Sequence, residues 1–173
     1  MSEQSNIQSN TYLTFHLDEE LYGLNIQSVR EVLEFTSITR VPRTASFMRG
    51  VINVRGHAVP VMDLRRKFDL HEAEQTIDTC IIIVEVELEN ESTIMGALVD
   101  GVQEVLEIAP EQIEPPPQLG SRIRGRFITG IGKLEEQFVI LLNVQELFSQ
   151  QELEDMASAG EDEPVESGLE KAV

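Results

Sequence analysis

The feature that most constrains this chain is an internal repeat. Tyr22-Gly23-Leu24-Asn25-Ile26-Gln27-Ser28-Val29-Arg30-Glu31-Val32-Leu33-Glu34-Phe35 lies over Met95-Gly96-Ala97-Leu98-Val99-Asp100-Gly101-Val102-Gln103-Glu104-Val105-Leu106-Glu107-Ile108 with six identities in fourteen positions and no gap. Two further blocks agree in pattern: Phe47-Met48-Arg49-Gly50-Val51-Ile52 with Phe127-Ile128-Thr129-Gly130-Ile131-Gly132, and Val59-Pro60-Val61-Met62-Asp63-Leu64 with Val139-Ile140-Leu141-Leu142-Asn143-Val144. The offset grows from 73 to 80 residues, and the extra seven fall around Pro115-Pro116-Pro117, a rigid loop on the second copy. A duplicated strand-and-hairpin unit predicts two similar β-barrels with an internal pseudo-twofold and a groove between them.

The best-defined part of the repeat is Gly50 to Leu64, which reads as strand, tight turn, strand. Val51, Ile52 and Val54 lead in and Val59, Val61 and Leu64 lead out, as a half-buried sheet requires. Arg55-Gly56-His57-Ala58 makes the turn, with Gly56 as the residue free to take a positive φ and Arg55 projecting from the shoulder. Pro60 has no donor for a ladder, so the return strand is expected at an edge or with one imino face turned away from its partner.

Along the chain, residues 1–10 are a polar leader that reads as disordered, and order is expected from Thr11. The first unit, 11–78, contains a hairpin around Asp18-Glu19-Glu20 and a short helical turn laying Val29 and Leu33 on one side. A strand over Ile38–Val41 follows, then the central hairpin, and one turn of helix at Arg65-Arg66-Lys67-Phe68. The second unit, 79–150, opens with Thr79–Leu88, whose Cys80-Ile81-Ile82-Ile83-Val84 run suits a strand buried on both faces. Ile94–Val99, Phe127–Ile131 and Gln137–Leu142 continue the sheet, and Val144 to about Ala157 has the spacing of an amphipathic terminal helix. Residues 151–173 carry eight acids and one lysine, and 158–173 reads as a solvated acidic tail.

Charge and composition narrow the function. The chain carries a net charge of -18, which repels polyphosphate and anionic lipid, so nucleic-acid binding and membrane-surface binding are not expected. Residues 26–67 run against this trend, with eight Arg or Lys and three acids, and so face an acidic or polar partner. Aromatic residues reach only 5% and Trp is absent, leaving burial to Val, Ile and Leu, which favours sheets over bundles. The apolar runs are strand length, well short of the ~20 residues that span a bilayer, and no signal peptide is read at the start, so a cytoplasmic location is expected.

Cys80, the single cysteine, lies in an apolar strand without a neighbouring base and reads as a core thiol. His16, His57 and His71 lack ligand spacing, so no metal is expected. Gly125 to Gly130 has phosphate-loop spacing, but Ile131 stands where Lys is required. Asp63 sits beside Arg65 and Arg66, where a local ion pair is expected rather than catalysis. No catalytic or cofactor-binding set emerges.

With the hairpin and repeat in place, Thr11 to Gln150 resembles the CheW family of bacterial chemosensory adaptors. The resemblance is carried by Tyr22-Gly23, Ile26, Val29-Arg30-Glu31-Val32-Leu33, Ile38-Thr39-Arg40-Val41-Pro42, Gly50-Val51-Ile52-Asn53-Val54-Arg55-Gly56, Pro60-Val61-Met62-Asp63-Leu64-Arg65, Phe68 and Val99-Asp100-Gly101-Val102, in that order and spacing. It implies an all-β fold of two intertwined five-stranded Src-homology-3-like barrels with short helices, a C-terminal helix and a further core between the barrels, each able to borrow strands from the other half. It also implies a non-enzymatic adaptor without cofactor. The implied partners are the regulatory domain of the histidine kinase CheA and the cytoplasmic tips of methyl-accepting chemoreceptors, joined in rings that other CheW-like proteins can enter, at membrane-associated arrays. On the same resemblance Val29, Arg55 and Val105 are the expected receptor contacts, and Glu31, Gly50 and Gly56 the expected kinase contacts or structural supports. Val29, on the exposed part of the first helical turn, and Val105, taken as its counterpart in the second unit three residues past Val102, are expected as apolar contacts that flank the inter-barrel groove. The Glu114-Pro115-Pro116-Pro117 loop departs from the family where other members help form a ring contact. Two rivals stay open: a paralogue serving pilus motility or second-messenger control, and a small-molecule-binding double barrel.

Overall fold

Runs of Val, Ile and Leu at a period of two build two sheets in the computed structural model, which describes residues 10–70, 74–116 and 127–148. The strands are β1 (Thr11–Leu17), β2 (Glu20–Asn25), β3 (Val29–Glu34), β4 (Met48–Val54), β5 (His57–Asp63), β6 (Cys80–Leu88), β7 (Glu91–Val99), β8 (Gly101–Glu107), β9 (Ile113–Glu114), β10 (Ile128–Lys133) and β11 (Phe138–Leu142). Two single-turn helices, α1 (Leu64–Lys67) and α2 (Val144–Leu147), follow β5 and β11. One sheet runs β8-β1-β2-β11-β10-β9 and the other β3-β6-β7-β5-β4. The second has the expected five strands; the first gains a sixth in the two-residue β9.

The two orders are one order written twice, with β3, β6, β7, β5 and β4 in the places of β8, β1, β2, β11 and β10. Each sheet draws strands from both sides of residue 78, because β3 pairs with β6 and β8 pairs with β1. The parallel pairs β5 with β7 and β2 with β11 make the same exchange. The repeat extends to irregularities. A bulge falls at Arg49 in β4 and at Thr129 in β10, and another at Arg30 in β3 and Gln103 in β8.

Alternation along the central strands sorts side chains into three cores. In β6, Cys80, Ile82, Val84 and Val86 enter a large cluster shared by both sheets, while Ile81 and Ile83 enter the interior of one barrel with Ile52, Val59, Val61 and Leu98. In β11 and its neighbours, Val139 and Leu141 join Leu21 and Ile108 in the other barrel, while Leu142 turns to the shared cluster. A strand buried on both faces therefore serves a barrel and the seam between barrels at once. The shared cluster carries a run of aromatic contacts, Phe15 to Tyr22 and Tyr22 to Phe68 at 5.9 Å each and Phe68 to Phe127 at 6.5 Å. Lys67 Nζ lies 4.6 Å from the Phe47 ring and 4.9 Å from that of its repeat mate Phe127.

Two sequence expectations are corrected, and a third is met in its second form. The helical turn over 26–33 is a 3-10 turn of only Ile26–Ser28, capped by Asn25 Oδ1 accepting from Gln27 N–H at 2.9 Å, and Val29–Glu34 is strand. The bulge at Arg30 adds one residue between Val29 and the rest of β3, turning a two-residue spacing into a three-residue one that imitates a helix. Ile38–Val41 contributes only a bridge, in which Thr39 and Val51 exchange main-chain hydrogen bonds of 2.9 and 2.8 Å. β5 is interior, not an edge, and Pro60 follows the other expected form: Val51 opposite it in β4 bonds to Thr39 instead, and pairing with β7 begins only at Val61, so the imino face meets no ladder partner. The terminal helix covers Val144–Leu147 and ends at its C-cap Phe148, short of the expected Ala157; residues 149–157, residues 1–9 of the leader, His71 and the acidic tail lie outside the described residues.

Candidate functional site

The central hairpin turns through two residues, since Val54 pairs with His57 and both Arg55 and Gly56 adopt positive φ, 51° and 88°. That is the geometry of a type I′ turn, whose twist matches the flanking strands. Asn53 Oδ1 accepts from the Gly56 N–H at 2.8 Å and fixes the turn, holding the Arg55 side chain out from the sheet at 70% exposure. Its guanidinium donates to the Glu31 carboxylate, which is 29% exposed on β3. Because β3 and β4 are the two edges of the five-stranded sheet, this ion pair crosses the open seam of the barrel.

Behind the pair lies a groove of about 470 Å³ floored by Val59, Pro60, Ile83 and Ile94 and rimmed by Arg30, Glu31, Arg55 and His57. Arg30 Nη1 donates to Glu85 Oε1 at 2.8 Å, and the Ser92 hydroxyl donates to the same carboxylate. Those hydrogen bonds, Ser92 first and Arg30 second, hold the Glu85 carboxyl below its ordinary pKa. The site offers an apolar floor and a polar, mixed-charge rim. It suits recognition of an extended or helical segment with a carboxylate near Arg55.

Gly50 stands at the far end of β4 and touches none of this. Its φ is 140°, and a Cβ there would fall 2.0 Å from the Thr39 carbonyl oxygen, so the residue must be glycine for the Thr39–Val51 bridge to close. Val29 is half-buried against the shared cluster in β3, not exposed on a helical turn. Val105 is 52% exposed on β8, an edge strand of the other sheet. The groove at Glu31 and Arg55 belongs to one barrel; the space between barrels is occupied by the shared cluster. The structure thus brings together Glu31, Arg55 and Gly56, and leaves Gly50, Val29 and Val105 apart from them.

Two features escaped the sequence reading. Glu85 reaches Arg30 across 55 residues, a pairing set by the β3–β6 register. Val32 is 41% exposed and is the repeat mate of Val105 at the offset of 73, so the alignment itself carried that signal. Asp63 behaves as expected: it lies 3.1 Å from Arg49 and 3.8 Å from Arg66, and Oδ1 accepts from the Arg65 N–H at 3.0 Å to cap α1. Cys80 is buried, and burial pushes its thiol pKa up. Among the described residues no group of three His, Cys, Asp or Glu could hold a metal ion.

The family model for the CheW-like domain matches residues 11–152. This chain belongs to the CheW-like family. It is 35% identical to a chemotaxis protein CheW of Klebsiella aerogenes over 82% of this chain and 83% of that protein. A chemotaxis protein CheW of Treponema pallidum is 29% identical over 84% and 86% of the two chains. The crystal structure of the scaffolding protein TtCheW from Thermoanaerobacter tengcongensis superimposes with a TM-score of 0.71 at 38% identity, covering 81% of this chain and 92% of that one. CheW-like membership makes the chain a scaffold and adaptor of chemotaxis rather than an enzyme, on the double-barrel fold. Among the described residues no helix is long and apolar enough to cross a membrane.

Proposed function

We propose that this CheW-like chain couples the cytoplasmic tips of methyl-accepting chemoreceptors to the regulatory domain of the histidine kinase CheA, within membrane-associated arrays. The observation that carries the reading is the Arg55–Glu31 pair at the rim of a groove with an apolar floor. A mostly exposed guanidinium held by a rigid I′ turn and shared with a single carboxylate can exchange that partner for one on a receptor helix. Val29 and Val105 supply apolar contact on the edge strands. Glu31 sets the position of Arg55, while Gly50 and Gly56 act through backbone shape. CheW-like neighbours in rings meet the chain on other surfaces.

The test is binding of the purified chain to an isolated CheA regulatory domain and, separately, to a receptor hairpin-tip fragment. Wild type binds both. Arg55→Glu at the groove rim and Val105→Asp on the edge of the other sheet each weaken the receptor fragment about tenfold or more while leaving the kinase domain within about threefold. Val105→Asp is the cleaner apolar probe, because Val29 is packed against the shared core. A folded wild type that binds neither fragment would overturn the proposal.

A further inference from the structure

Four of the eight basic residues of 26–67 lie together. Arg40, Arg43, Arg49 and Arg66 line one groove of about 760 Å³ at the end of β4 away from Arg55. Ile38, Val41 and Met48 form its apolar wall, and Val41 is 41% exposed. Asp63 is the carboxylate that two of them share, reaching Arg49 at 3.1 Å and Arg66 at 3.8 Å. Arg40 and Arg43 are exposed and have no carboxylate partner among the described residues. A concentration of guanidiniums of this kind, in a chain whose net charge is -18, calls for an acidic occupant.

The chain carries one. After Phe148 the sequence holds Glu152, Glu154, Asp155, then the uninterrupted run Glu161-Asp162-Glu163, then Glu166 and Glu170, with Lys171 as the single base. Phe148, the last described residue, is buried in the same cluster as Ala45, which lines the groove. Glu161 follows Phe148 by thirteen residues, a stretch of chain that can span at most about 40 Å. Each exposed arginine–carboxylate pair is weak, so the segment as a free peptide would bind poorly. Tethered at that range it is presented at a millimolar effective concentration, which favours it over an acidic segment of another molecule.

We propose that Glu161-Asp162-Glu163 docks in the groove of Arg40, Arg43, Arg49 and Arg66, so that the chain covers its own basic face. The contact shields these arginines from other acidic partners and releases them when salt rises. It does not depend on the adaptor reading, since the groove and the Arg55 rim are at opposite ends of the β4–β5 hairpin.

A nitroxide on Ser158→Cys in the full chain tests this. Buried Cys80, its thiol pKa raised, leaves the introduced cysteine as the reactive one. Amides of residues 40–46 should broaden, while those of the Glu89-Asn90 turn should not. Broadening should vanish in Arg40→Glu/Arg43→Glu, whose exposed side chains leave the spectrum of the two sheets unchanged, and in Glu161→Gln/Asp162→Asn/Glu163→Gln. It should also vanish in about 0.5 M salt, where screening acts over roughly 4 Å. Absence of selective broadening in the wild type overturns the proposal. So does equal broadening when isotope-labelled chain without nitroxide is mixed with unlabelled nitroxide chain, because the occupant is then a second copy.

Discussion

Glu31 on edge strand β3 and Arg55 in the turn that follows the opposite edge strand, β4, meet side chain to side chain across the seam that those edges leave open. The same seam is closed by main-chain hydrogen bonds at Thr39 and Val51. The two closures differ in kind: the bridge is built into the backbone, and the ion pair is mostly solvated. Stability of the barrel therefore rests on the bridge, which leaves the ion pair free for recognition.

It follows that Arg55→Ala should lower unfolding free energy by less than about 1 kcal/mol, the range of exposed ion pairs. Urea denaturation measures this. The same variant should lose far more in affinity for the receptor fragment than in stability. The reversal Glu31→Arg/Arg55→Glu should restore the seam without restoring that affinity, because the carboxylate would then face the receptor's own. Full recovery of binding by the reversal would show that Arg55 acts only as a brace.

Glycine substitutions should rank by what each Cβ meets. At Gly50 a Cβ collides with the Thr39 carbonyl at 2.0 Å on a backbone at φ 140°, so Gly50→Ala should cost about 2–4 kcal/mol. At its repeat mate Gly130 the nearest atom is Ile113 Cγ2 at 2.6 Å, the end of a side chain that can move, though Glu114 O lies at 3.0 Å. Gly130→Ala should cost less. At Gly56 a Cβ meets nothing within 4 Å, and only the positive φ opposes Gly56→Ala, at about 1 kcal/mol. Thermal or denaturant unfolding in any other order would remove the steric account of Gly50.

The glycines also show how far the sequence could be read. Gly56 was identifiable from the turn alone, because a two-residue hairpin between alternating strands demands positive φ locally. Gly50 was not, because the Thr39 carbonyl that excludes a side chain arrives from outside the hairpin. The β3 strand was hidden by its own bulge, which moved Val29 and Val32 to helical spacing. The repeat announced two barrels, but an alignment of two halves does not say whether a strand pairs within its copy or with the other. That choice, made by β3 with β6 and β8 with β1, separates Val29 and Val105 onto different sheets. The groove at Arg55 consequently lies in one barrel instead of between two.

Asp63 and Asn143 are repeat mates that cap α1 and α2, with main-chain N–H groups donating to Phe47 O at 2.7 Å and Phe127 O at 2.8 Å. Only Asp63 also faces guanidiniums. Asn143→Ala should cost about 1 kcal/mol, the usual loss of a cap. Asp63→Ala should cost more, about 2–3 kcal/mol, because a buried carboxylate between Arg49 and Arg66 goes with the cap. Asp63→Asn keeps the capping oxygen and should fall between the two. Equal losses for Asp63→Ala and Asn143→Ala in denaturant unfolding would show that the ion pairs add nothing.

Burial holds the Cys80 thiol neutral beyond its ordinary range, with desolvation outweighing the Val102 main-chain hydrogen bond that acts in the opposite sense. The unfolded chain ionises this thiol near its ordinary value, so the unfolded state binds fewer protons than the native state above that pH. The stabilising contribution is complete below about pH 8 and is lost as pH rises toward the raised native value. Wild type should therefore lose stability faster than Cys80→Ala does as pH rises above about 8, although the alanine variant starts lower by the cost of its cavity. The thiol of the native chain should also resist a disulfide reagent at pH 8 until denaturant exposes β6. Rapid stoichiometric labelling of the folded chain would mean that β6 opens locally and that the seam between barrels is not the most stable part of the structure.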